Sequence, residues 1–322
     1  MKIIRRLSAC VFLCITCLAA VSYAGKINIV TSTADIAALA EEIGKDKVKV
    51  TSIAKPTEDP HFVDAKPSFI VKLNKADLFI ETGLELEIGW LPILVNNARN
   101  SKILPGKSGY LLASIGIQVI EVPAPELTDR LMGDIHPFGN PHYMLDPLNG
   151  KIVATRICER LCQIDPENCD YYRSNFDGFT ERLNQKLSEW QNVLLPFQGT
   201  KIVTYHKAWG YFANRFQLNI IGELEPKPGI PPSPSHLKDL VWRMNNEGVK
   251  LIIISSFREQ RSPEFVAAKT GAKVLVLPIM PGGIKGTEDY LSFIDYNINE
   301  IVSLLSGLSG NAKFQKTGAD VK

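Results

Sequence analysis

The sequence predicts an α/β protein of two similar lobes, each a parallel sheet with crossover helices, joined by one long rigid helix. Three observations lead there. Short β-rich runs alternate with helical stretches in the first half. The same alternation restarts after residue 200. Between the halves lies a helical segment of up to roughly thirty residues, about 45 Å long at 1.5 Å per residue.

In the first half, 26–33 reads as a strand and 35–44 as a helix. The pattern repeats with a strand at 48–55 and a helix at 67–76, then a strand at 77–81 and a helix at 88–99. The run 117–122 supplies a fourth strand. In the second half the strands are 201–205, 218–223, 249–255 and 273–277, and the helices 208–216, 235–246, 263–270 and 287–305. The isoleucine-rich stretch at 249–255 suits a strand buried on both faces.

Between the halves, Asp146-Pro147 opens a helix with Ile152, Val153, Ile157 and Leu161 at helical spacing. Asp165-Pro166-Glu167 starts the long one, proline being suited to a first helical turn. It carries Tyr171, Phe176, Phe179, Leu183, Leu187 and Trp190. The organisation expected is therefore a signal peptide at 1–24, a first lobe at 25–165, a connecting helix at 166–195 and a second lobe at 196–306. A small, polar, disordered tail completes it at 307–322.

The N-terminus has the build of a secretory signal. Lys2, Arg5 and Arg6 precede an uncharged, mostly apolar run from Leu7 to Val21, and Ser22-Tyr23-Ala24 offers a small-x-small cleavage site. Leu7-Ser8-Ala9-Cys10 spells a lipoprotein-like box but comes before any apolar region has been made, so no lipid anchor is expected. No later stretch is long and apolar enough to span a bilayer. Cleavage after Ala24 removes three positive charges from a formal net charge of +2 and leaves about −1. Such a balance gives no electrostatic footprint for nucleic acid. The product expected is a soluble, exported protein, periplasmic where the cell has two membranes.

Three of the six cysteines, Cys10, Cys14 and Cys17, leave with the signal. Cys158, Cys162 and Cys169 remain as one cluster that does not have zinc-site spacing. In an oxidising compartment one pair can close. Cys162 with Cys169, across a helix break, is the easier bridge.

The chemistry rests on five histidines. His61, in Pro56-Thr-Glu-Asp-Pro-His61, follows the second strand, and His206 follows the strand ending at Tyr205. Both lie beyond carboxyl ends of parallel strands, the edge at which open α/β sheets bind ligands. His142 stands in Gly139-Asn-Pro-His142, just before the first central helix. Where the two sheet edges face each other, these imidazoles converge, and neutral imidazole suits zinc, copper, iron and nickel. His136 lies nearby as a ligand or capture residue. His236 starts a helix and is not a ligand candidate. Glu58 and Asp59 flank His61 as acceptors that would fix its tautomer.

Several segments together resemble the zinc and manganese solute-binding proteins of ABC importers. They are Asp59-Pro-His61 with Lys66-Pro-Ser68, Gly139-Asn-Pro-His-Tyr-Met-Leu-Asp-Pro147, Thr204-Tyr-His206-Lys, Pro231-Pro-Ser-Pro-Ser235, and Asp289-Tyr290 with Asn297. The resemblance covers nearly the whole exported chain in the family's order. It implies a metal site in the interlobe cleft with ligands at His61, His142 and His206. Three histidines resemble the zinc-type members more than the manganese-type, where a carboxylate commonly takes the third place.

The chain departs from the family where an aspartate often supplies the fourth ligand, because Val274-Leu-Val-Leu-Pro278 carries no acid. Where many members have a glutamate it has Ser255-Ser256. The fourth position falls to Glu225, Glu259, His136 or a water. The function expected is a monomeric, non-enzymatic receptor that binds Zn2+ and delivers it to an ABC importer permease. The rivals are a Mn2+ or Fe2+ receptor of the same class, a surface adhesin, and a secreted zinc hydrolase. The last has no His-Glu-x-x-His and no evident general base.

Overall fold

The computed structural model describes residues 25–124, 133 and 135–308. The signal peptide and residues 309–322 of the expected tail lie outside the described residues.

The first lobe is built on strands β1 (Ile27–Thr31), β2 (Val48–Ser52), β3 (Leu78–Glu81) and β4 (Tyr110–Leu112), in the order β2-β1-β3-β4 and parallel throughout. Helices α1 (Ala34–Gly44), α2 (Pro67–Asn74) and α3 (Leu91–Ala98) make the crossovers. β4 corrects the expected strand at 117–122: Tyr110–Leu112 pairs with Phe79–Glu81 instead. The 117–122 run spends its backbone elsewhere. Ile120 N–H donates to the Tyr211 hydroxyl, and the Ile120 carbonyl accepts from Asn140 N–H. A run whose donors and acceptors are committed to a loop and to the opposite lobe has none left for a ladder. At three residues, β4 is too short to show in the alternation of side chains.

Two helices follow. α4 (Pro147–Ile164) has Pro147 at its first position and Asp146 as its cap, the carboxylate accepting from Leu148 N–H. α5 (Cys169–Leu194) has 26 residues, about 39 Å of helix. The expected start at Pro166 is instead a 3-10 turn over Pro166–Asn168. α5 packs on α1 and α4 of the first lobe and, at its other end, on the last helix of the second lobe. A disulfide links Cys162 to Cys169 across the α4–α5 junction, and Cys158 is a buried free thiol.

The second lobe repeats the first. β5 (Lys201–Thr204), β6 (Asn219–Glu223), β7 (Leu251–Ser255) and β8 (Lys273–Leu277) lie in the order β6-β5-β7-β8, again all parallel. α6 (Gly210–Phe216), α7 (Pro234–Glu247) and α8 (Arg261–Thr270) cross over, and α9 (Tyr290–Leu308) closes the fold. α9 begins three residues later than its pattern suggests because Asp289 caps it, accepting from Leu291 and Ser292 N–H. β7 is the expected central strand, with Leu251 to Ile254 almost wholly shielded. Each such side chain stabilises the fold by about 1.5–3 kcal/mol relative to exposure.

The largest apolar core runs through both lobes. Ile29, Leu39 and Leu78 join it from the first, Ile157, Phe179 and Leu183 from α4 and α5, and Ile202, Ile253 and Ile294 from the second. Smaller clusters lie on the outer faces of the two sheets. Direct ties reinforce the junction. Arg215 forks the Asp146 carboxylate with two bonds of 2.8 Å, and the Tyr290 hydroxyl donates to the Met144 carbonyl at 2.7 Å. No helix among the described residues is long and apolar enough to cross a membrane.

Candidate metal centre

The carboxyl edges of the two sheets turn toward each other, and the chain segments leaving them build the site. His61 is carried by the loop after β2, His206 by the segment after β5, and Glu225 by the segment after β6. β2 and β6 hold equivalent places in the two sheets, so His61 and Glu225 issue from matching positions of the repeated fold. His142 comes from the loop before α4. That loop needs Gly139, whose φ is +101° and whose added Cβ would lie 2.2 Å from Val119 Cγ1. Past it, the Asn140 side-chain oxygen accepts from His142 N–H at 2.9 Å, while its amide donates to the Lys207 carbonyl of the second lobe. One asparagine thereby sets the His142 loop against the His206 segment.

His61, His142 and His206 are each less than a tenth exposed, and their ligand atoms all lie within 4.8 Å of one another. Their rings form a near-equilateral triangle, with centroids 5.1 Å, 5.2 Å and 5.2 Å apart. The Nε2 atoms of His142 and His206 are 3.2 Å apart. Two nitrogens about 2.05 Å from a tetrahedral zinc are separated by about 3.3 Å, so this pair already has the spacing of a coordination edge. Among the described residues this trio is the group able to hold a metal ion, and its donors are imidazoles alone.

Behind the imidazoles stand carboxylates. His61 Nδ1 is 2.7 Å from Asp59 Oδ1, and His206 Nδ1 is 2.6 Å from Glu225 Oε2. Each contact assigns the proton to Nδ1 and turns the Nε2 lone pair to the centre. Arg258, in the loop after β7, joins the two carboxylates. Its guanidinium lies 3.0 Å from Asp59 Oδ2 and 3.0 Å from Glu225 Oε1.

Burial alone would raise Asp59. The His61 hydrogen bond, the His61 charge and Arg258 outweigh it and hold the carboxyl well below its ordinary range. Burial, with the neighbouring imidazoles adding to it, holds His142 well below the usual histidine value. Burial lowers His206 too, against the opposing pull of Glu225. Burial therefore favours the neutral forms of His142 and His206, and Asp59 keeps its charge, which is the state a divalent cation needs.

The three residues named for the fourth position have different surroundings. Glu225 sits behind His206, one oxygen on the imidazole and the other on Arg258. Glu259 caps α8 through Ser262 N–H and accepts from the Tyr205 hydroxyl at 3.3 Å. His136 meets His61, with their Nε2 atoms 3.1 Å apart, and borders both open cavities beside the site, of about 400 and 250 Å3. His236 bonds the Glu223 carbonyl, away from the trio. Sequence reasoning missed Arg258. It looks for an acid at the end of β7 and finds Ser255-Ser256, whereas the functional group is a cation a few residues on. Its place after a strand end is the one signal that points to it.

Two parallel α/β lobes, a backbone helix joining them and a buried histidine cluster able to hold a metal between their strand edges define a solute-binding receptor. Residues 29–304 match the family described as zinc-uptake complex component A, periplasmic (ZnuA), and the chain belongs to that family, the extracytoplasmic metal receptors of ABC importers rather than enzymes. Among its relatives is the metal ABC transporter substrate-binding lipoprotein FimA of Streptococcus parasanguinis. It is 28% identical over 293 residues, covering 88% of this chain and 90% of that protein. The manganese ABC transporter substrate-binding lipoprotein PsaA of Streptococcus pneumoniae is 26% identical over 294 residues, with 88% and 91% covered. A crystal structure of ZnuA superposes with a TM-score of 0.73 at 26% identity, covering 87% of this chain and 99% of that one.

Proposed function

We propose that this receptor takes Zn2+ as its cargo, holds it on His61, His142 and His206, and delivers it from the periplasm to the permease of an ABC importer. The observation that carries this reading is the composition of the cluster. Three buried imidazoles converge, while the nearest carboxylates are engaged with imidazole and guanidinium. A nitrogen-only set suits zinc, whereas manganese sites lean on carboxylate and water. Of the three residues named for the fourth position, His136 is the one whose ring nitrogen meets that of a ligand, 3.1 Å from His61 Nε2, and it is the fourth ligand in this reading.

The residues that bind do no bond chemistry. Asp59 and Glu225 orient their imidazoles, burial keeps protons off His142 and His206, and the interlobe ties restrict the motion available on loading. Loading thus reorders loops around the ion more than it swings one lobe against the other. Cleavage after Ala24 leaves the receptor free in the periplasm as a monomer, in contrast to the relatives named as lipoproteins.

Metal analysis of protein purified without chelator tests the assignment. About one zinc per chain is expected, with little manganese, and near-complete loss of zinc in His206→Ala. Manganese as the resident metal contradicts the choice of cargo. Full zinc occupancy in His206→Ala contradicts the choice of site.

A further inference from the structure

The structure holds an arginine where a cation-binding site has least use for one. Arg258 is 14% exposed and lies immediately behind the histidine cluster. Its guanidinium is permanently charged, and the faces of Tyr205 and Phe257 hold it at 5.5 and 5.4 Å. Asp59 comes from the first lobe and Glu225 from the second, and Arg258 spans them. Each carboxylate has two oxygens. One accepts from an imidazole Nδ1 and the other from Arg258, so all four oxygens are occupied and turned from the centre.

We propose that Arg258 sets the metal specificity of the site, by occupying the outer oxygens of Asp59 and Glu225 so that neither carboxylate joins the coordination shell. The ion is left with nitrogen donors. In such a shell the Irving–Williams order applies with no oxygen ligand to favour the harder ion, and zinc is preferred to manganese. The arginine also offsets one of two buried negative charges that would otherwise raise affinity for any divalent cation without discrimination. Removing it frees an oxygen on each acid, and rotation of Glu225 or Asp59 then brings a carboxylate to the ion. Manganese gains more from that than zinc does.

This inference rests on the receptor reading above and is tested separately from it. The exported chain and its Arg258→Met variant are titrated with Zn2+ and with Mn2+ against competing chelators, and bound manganese is followed by electron paramagnetic resonance. The ratio of manganese to zinc dissociation constants is expected to fall about tenfold or more in Arg258→Met, the scale of effect that groups behind metal ligands exert. X-ray absorption of the manganese-loaded variant is expected to show an added oxygen donor. Adding Glu225→Gln to Arg258→Met is expected to reverse most of the change.

A ratio within about threefold of wild type, in a variant that still binds zinc, overturns the proposal. If Arg258→Met does not fold, Arg258→Gln carries the test by the same criterion, because it keeps a polar side chain but removes the charge that holds both carboxylates. Absence of metal binding by the wild-type chain would instead overturn the receptor reading itself.

Discussion

His142 and His206 meet with their Nε2 atoms 3.2 Å apart, although 64 residues separate them and they leave different parts of the fold. Two like-charged imidazolium rings could not be held so closely, and a shared cation can. On the proposed assignment, loss of either ring removes a ligand outright. His142→Ala and His206→Ala are each expected to weaken zinc binding by more than about 100-fold, beyond the 10–100-fold typical of groups behind the ligands. Competition titration against a chelator measures this, and an effect below about tenfold for both would contradict the assignment.

Glu225 acts through His206. Glu225→Gln keeps the shape but offers a weaker acceptor to Nδ1 and lets go of Arg258. Zinc affinity is expected to fall about 10–100-fold, with cobalt-substituted protein retaining a tetrahedral spectrum. An unchanged affinity would show that the His206 tautomer is set by something else.

The pH dependence of binding follows from the lowered histidines. A base whose folded value is below 6.5 stays neutral at pH values where a free histidine is already charging. Proton competition therefore sets in only below that point. Zinc affinity measured between pH 5 and 8 is expected to be flat above about 6.5 and to decline at lower pH. A decline that begins above pH 7 would contradict the burial argument. The same shift means that these two histidines make the metal-free fold more stable as pH rises toward 6.5, since the unfolded chain binds the protons the folded one refuses.

Glu87 pulls the other way. It is buried beneath the first lobe's β3–α3 turn, accepts from Thr82 and Gly83 N–H, and is raised to about 7 by burial with the Glu81 charge adding to it. Between the unfolded value of 4.5 and 7 the folded chain keeps a proton that the unfolded chain has released. This group's contribution therefore falls as pH rises through that window, by about 3 kcal/mol in full. Urea unfolding of wild type and Glu87→Gln at pH 5 and pH 8 isolates it. The stability difference between the two proteins should move in favour of the variant at pH 8, and a difference that does not change with pH would refute it.

The Cys162–Cys169 bridge closes a short loop at the α4–α5 junction, at the opposite end of the 18-residue α4 from the loop that carries His142. Loop-closure entropy for so short a loop is worth about 2 kcal/mol. A double Cys→Ser variant is expected to lose about that much stability while keeping zinc affinity within about twofold. A large loss of affinity would mean that the junction controls the site.

The parts legible in the sequence were those written in local chemistry. Alternation of apolar runs located seven of the eight strands, and proline and acid pairs at 146–147 and 165–166 marked the central helices. The fourth strand was misplaced because Tyr110–Leu112 is too short for a period and 117–122 carries strand-like residues that serve the interface. At the site, the position of a histidine after a strand end is a local fact, so His61 and His206 stood out. The acceptor role of Asp59 was legible too, since it stands two residues from His61, but the roles of Glu225 and Arg258 depend on which oxygen meets which nitrogen across two lobes. No spacing within the chain encodes that, and Arg258 went unnoticed because scanning for metal ligands looks for acids and imidazoles.

Zinc K-edge absorption on the one-to-one zinc complex tests the central claim most directly. At least three imidazole nitrogens at about 2.0–2.1 Å, with the multiple-scattering pattern of histidine rings, are what these residues should produce. A shell dominated by carboxylate or water oxygen, with one imidazole or none, would contradict it.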